Sequence, residues 1–158
     1  MNKLVLWLKE NKWSVFGHDQ RIDEDALKQV IPMNQDISGS YIEFLFSVKR
    51  CVNETETMWF NCYDEFSGIS DIAFRWNEYE LLSLESAQGD SGLEQSITEF
   101  WENHLPIIMS VKNGYEYYAI RSDGAVVFGW EPEFEEPDVI AKSFDEFVEM
   151  LITKSIVL

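Results

Sequence analysis

Histidine, cysteine and basic residues are all scarce in this 158-residue chain, and each shortage removes a class of chemistry. The only histidines, His18 and His104, are far apart, and neither has a cysteine nearby at metal-ligand spacing. A structural or surface role is therefore expected for both, with no metal site. Cys51 and Cys62 are the only cysteines, too few for a disulfide framework in a chain this rich in core formers. They read as free, buried thiols. Long apolar runs are missing too. Leu4 to Leu8 is a run of five, shorter than a signal-peptide core, and nothing approaches the roughly 18 residues of a membrane span. The expectation is a cytoplasmic protein.

Catalytic signatures are also lacking. There is no Gly-rich phosphate loop, no Gly-x-Ser-x-Gly and no Cys/His constellation. The acids at Asp19, Asp23, Glu24 and Asp25 lack the ligand spacing and central glycine of a calcium loop. Pairs of carboxylates arise by chance among 29 acids, so they do not indicate a glycosidase. Neither an enzyme nor a cofactor is expected.

What the chain has is negative charge and aromatic bulk. Twelve bases against 29 acids leave a formal charge of −17, while 46% hydrophobic and 15% aromatic residues exclude a disordered acidic tail. The length suits one domain with one core. The charge is patterned. Residues 1–53 balance seven acids with seven bases, whereas 54–102 carry twelve acids against Arg75 alone and 131–149 carry eight against Lys142. Such a field repels nucleic acid and anionic membranes and attracts basic partners. It equally serves solubility.

Apolar spacing places a short helix in the first dozen residues and another over Asp23–Ile31, stopped by Pro32. Tyr41–Val48 suits a helix or a buried strand, and Thr57–Tyr63 suits a strand. Ile69–Trp76 is irregular or a short strand; helix formers follow over Trp76–Leu84, then an amphipathic helix carrying Leu93, Ile97, Phe100 and Trp101. The last third is a meander: Ile107–Val111, a two-residue turn at Asn113-Gly114, Tyr115–Arg121, a turn at Asp123-Gly124, then Ala125–Phe128. After an acidic loop, Ser143 and Glu146 form a capping box for a final helix. Its apolar stripe is Phe144, Phe147, Val148, Leu151 and Ile152.

These pieces, in this order, resemble a known family. Leu105-Pro106-Ile107, Gly114 to Ile120, Asp123 to Val127 and the Ala-x-Ser-Phe-x-x-Phe of Ala141–Phe147 are similar to the SUKH superfamily, as is the tryptophan-led segment Trp76–Leu81. That superfamily includes the fungal Smi/Knr cell-wall regulators and many bacterial immunity proteins. The match is good over 76–152 and loose over 1–75. There, Ile31-Pro32 and Glu43-Phe44-Leu45 fit, but Cys51-Val52-Asn53-Glu54 replaces the usual Asn-Gly.

The resemblance implies a single α+β domain over 1–158, with an antiparallel sheet of about five to six strands flanked by helices. It also implies a binding role rather than a catalytic one. The first reading is an immunity protein that neutralises a cognate, basic toxin, a nuclease being one candidate. The second is an intracellular adaptor or regulator of the same fold. A small-ligand pocket lined by aromatics is a third.

Two segments combine aromatics with acids in the manner of an interface. One is Trp130, Glu131, Glu133, Phe134, Glu135 and Glu136; the other is Asp64 and Glu65, beside Tyr63 and Phe66. A plain solvated loop is the competing reading for both.

Overall fold

The computed structural model describes residues 2–32 and 37–158. Its centre is one antiparallel sheet in which every strand pairs with its neighbours in sequence, in the order β1 (Ser14–Phe16), β2 (Arg50–Val52), β3 (Met58–Phe60), β4 (His104–Ser110), β5 (Glu116–Arg121), β6 (Val126–Trp130) and β7 (Asp138–Ala141). Seven strands exceed the five to six expected. The additional ones include β1 and β2, which at three residues each are too short to show an alternation in sequence.

Helices cover both faces, so all seven residues of β4 are buried. Along β5, Tyr118 and Ile120 enter one core while Tyr117 and Ala119 enter the other, as the period of two requires. The first face is covered by α1 (Lys3–Glu10), α2 (Glu24–Val30), α3 (Gly39–Ser47), α4 (Tyr63–Ser67) and α7 (Phe144–Ile152). The second is covered by α5 (Glu78–Ser86) and α6 (Ser91–Glu102). Asp23, Asp90 and Ser143 cap α2, α6 and α7 by accepting the N–H of Ala26, Leu93 and Glu146.

Two segments differ from expectation for identifiable reasons. The strand expected through Tyr63 stops at Phe60, because Glu65 turns back to accept the Cys62 N–H at 2.9 Å and starts α4. The turn at Asn113-Gly114 opens into a longer loop. Val111 N–H bonds to Thr57 O across the neighbouring strand, and Tyr115 N–H goes to the Glu131 carboxylate, so neither closes the hairpin. The helix expected over Tyr41–Val48, with a buried strand as its competitor, is α3, which ends at Ser47 and buries Tyr41, Phe44 and Leu45.

Pro106 sits in the middle of β4, where the register with β5 shifts between Pro106 and Ile108. Proline has no N–H to give the ladder, and a bulge accommodates it. Asn61 ties down this irregularity. Fully buried, it donates from Nδ2 to Pro106 O (3.0 Å) and Trp76 O (3.3 Å), while its backbone carbonyl accepts the Tyr41 hydroxyl at 2.6 Å. Asn61→Leu should therefore cost about 2–3 kcal/mol in denaturant unfolding, since one buried and one part-buried carbonyl lose their donor. A change below half a kcal/mol would show that water replaces the amide.

Candidate functional site

The acidic segment after β6 folds as a strap across α5 and α6. Two of its residues point inward and fasten it. The Phe134 ring stacks on Tyr79 (4.7 Å between centroids, 7° between planes), and its carbonyl accepts the Tyr117 hydroxyl. Glu135 Oε2 accepts Ser83 Oγ–H at 3.1 Å, and its buried Oε1 lies beside the Trp101 indole N–H. The other side of the strap faces outward. Glu131 N–H donates to Tyr115 O at 2.9 Å, holding the strap's start beside β5 (the Glu131-Pro132 peptide bond is cis). Glu136 N–H donates to Glu133 O, which turns the chain there.

Between the strap and the two helices lies an open groove of about 790 Å³. Five carboxylates line it: Glu85 from α5 and Glu131, Glu133, Glu135 and Glu136 from the strap. Its apolar lining is Leu82, Leu93, Ile97, Phe100 and Phe134; Leu93 is 48% exposed. No lysine or arginine contributes to the lining, and among the described residues none of the five carboxylates is in an ion pair. Nor does any group of three or more His, Cys, Asp or Glu come close enough to hold a metal ion, among the described residues. The acids are spread along the walls instead of converging on a point. That arrangement suits a partner presenting several cationic side chains around an apolar contact.

The segment expected as one interface is thus divided. Glu131, Glu133, Glu135 and Glu136 share the groove, and Phe134 is built into its wall. Trp130, 42% exposed, faces the other way: its ring lies 5.4 Å from Phe128, on the sheet face covered by α7. The Asp64-Glu65 pair is elsewhere, on α4. Glu65 is buried and accepts from Cys62 N–H and Ser70 Oγ–H, and Asp64 faces Lys49, His18 and Arg50. Both oxygens of Glu65 are taken up by the local structure of α4, while Asp64 is only partly covered.

Sequence reasoning missed the opposite wall, which holds Glu85, Ser86, Leu93 and Ser96. A signal existed: residues 76–102 carry seven acids and no base, a single-signed run. Leu93 and Phe100, read as a core stripe, are only partly covered.

The histidines and cysteines are structural. His104 stacks on Phe100 at 3.8 Å and donates from Nδ1 to Phe100 O, and burial pushes its pKa down, towards the neutral ring. His18 donates from Nε2 to Leu45 O. Cys51 and Cys62 are free and buried, and desolvation holds both thiols protonated.

Burial raises the pKa of Glu65, Glu80 and Glu135; the charges of Glu102 and Glu135 add to the effect at Glu80. Groups raised on folding stabilise the fold below the ordinary carboxylate range and lose that contribution as pH climbs through their folded values. Self-repulsion from −17 acts in the same direction. Opposing them are Asp19, lowered by Lys49, and Asp123, lowered to about 2 by Arg121, whose contributions fade only as pH falls below about 4. Tm at fixed ionic strength should therefore rise from pH 8 to about 5 and fall below about 4. A steady decline from pH 8 downward would contradict this.

An open antiparallel meander layered with helices, carrying an acid-lined groove between the strap, α5 and α6, defines an α+β domain. Residues 10–150 match the SMI1 / KNR4 family (SUKH-1), and the chain belongs to that family. No curated protein and no solved structure matches it. Among the described residues, no helix is long and apolar enough to cross a membrane.

Proposed function

We propose that this chain is an immunity-type inhibitor that binds a basic toxin through the groove between α5, α6 and the strap, without catalysis. The observation that carries this reading is a groove with five carboxylates, an apolar lining and no base. Like-signed charge in a cleft concentrates the field and speeds the approach of a cationic partner. The apolar lining then receives an anchoring side chain, the usual source of most binding energy. A nuclease fits well, because a nuclease positions lysines and arginines for phosphates and carboxylates can take their place. Nucleic acid and anionic membranes would be repelled by the same field.

Growth protection tests the proposal. Cells expressing the toxin encoded beside this gene should survive with the wild-type chain. They should die with a variant in which Glu85, Glu131, Glu133 and Glu136 are all lysine. Full protection by a folded variant would remove the groove from the reading.

A further inference from the structure

On the sheet face opposite the groove, α1 and α7 pack side by side and leave a shallow seam of about 530 Å³. Leu6 is 43% exposed and Ile152 37% exposed along it, although Ile152 continues the apolar stripe of α7. Charge around the seam is nearly balanced, unlike that of the groove. Residues 1–20 hold three lysines against two acids, and residues 139–158 hold two lysines against three acids. One pair, Lys3 with Glu149 at 2.9 Å, links the two helices directly. The seam also contains one cation and one anion, Lys154 and Glu10, that are in no ion pair among the described residues.

We propose that a second copy of this chain docks on this seam, about a twofold axis. A twofold interface must be self-complementary, each side supplying what the other lacks. The seam meets that condition: turned on itself, it sets Lys154 of each copy against Glu10 of the other and covers Leu6 and Ile152 on both. An acidic partner would be repelled by the remainder of the chain, and a basic one is drawn to the opposite face. At the seam two molecules of charge −17 meet with less repulsion than they would at the acid-lined groove. The groove stays open on the outer side of each copy, so this pairing does not depend on what the groove binds.

Sedimentation velocity on the purified chain at 10–200 µM (a range of roughly physiological to high concentration) tests it. The dimer fraction should grow with protein concentration and also with NaCl, because salt screens the long-range repulsion more than the short contacts. E10K and K154E should each weaken the dimer about tenfold, since each turns two attractions into repulsions. E10K is the sharper arm: it reduces overall repulsion yet should still weaken the dimer. The double variant E10K/K154E should recover wild-type association. Both positions are exposed, so circular dichroism should be unchanged. A monomer under every condition overturns the proposal. So does a dimer indifferent to the single changes, or a double variant that fails to recover.

Discussion

Gly129→Ala should destabilise the protein by about 3–5 kcal/mol, an unusually large effect for one added methyl group. Gly129 lies opposite Tyr117 on the β5–β6 ladder, and the Tyr117 ring covers it. A Cβ at 129 would lie 2.4–2.5 Å from two ring carbons and the hydroxyl oxygen of Tyr117. The ring cannot easily yield. It is wholly buried, rests 5.0 Å from Trp101, and is fixed at its far end by the hydroxyl it donates to Phe134 O. Moving it breaks that hydrogen bond and orphans a buried carbonyl, which adds about 1–3 kcal/mol to the overpacking cost.

The same movement lifts the strap, so the groove should deform together with the core. Tyr117→Phe isolates the second term and should cost about 1–2 kcal/mol, because the ring stays and only the hydroxyl goes. In a Tyr117→Leu background the added methyl finds space, so the two changes should be strongly non-additive. Urea unfolding measures all of these. A Gly129→Ala cost under 1 kcal/mol would show that the sheet relaxes around the ring.

Local chemistry explains why the last third of the chain was readable from sequence. Gly114 and Gly124 take φ of 85° and 90°, values that favour glycine and that mark both turns. Ser143 caps α7 as its position before an apolar stripe requires. The strap resisted reading because the orientation of its side chains is decided by what covers it. Phe134 and Trp130 look alike in sequence as aromatics among acids. One stacks on Tyr79 inside the second core, and the other lies outside on the opposite face. Glu65 likewise resembles its half-buried neighbour Asp64 until α4 folds and takes both of its oxygens. The wall carrying Glu85 and Leu93 comes from a distant part of the sequence, so the groove exists only through tertiary packing.

Reversing Glu85, Glu131, Glu133 and Glu136 to lysine should weaken toxin binding by about a thousandfold or more. Each reversal loses an attraction and adds a repulsion, about 1 kcal/mol or more per site. Glu135 is left in place because its bond to Ser83 fastens the strap. All four changed residues are exposed, so the fold should survive with unchanged circular dichroism. Glutamine at the same positions removes attraction without adding repulsion, and its effect should be intermediate. Much of the loss should appear in the association rate, since steering acts before contact.

The decisive measurement is the affinity of the purified chain for that toxin between 50 and 500 mM salt, a span that shortens the Debye length from about 14 to about 4 Å. Wild type should bind tightly at low salt and weaken steeply as salt rises, while the four-lysine variant should bind poorly at every salt concentration. Equal affinity of the two proteins, or wild-type binding indifferent to salt, would contradict an acidic groove that recognises a basic partner.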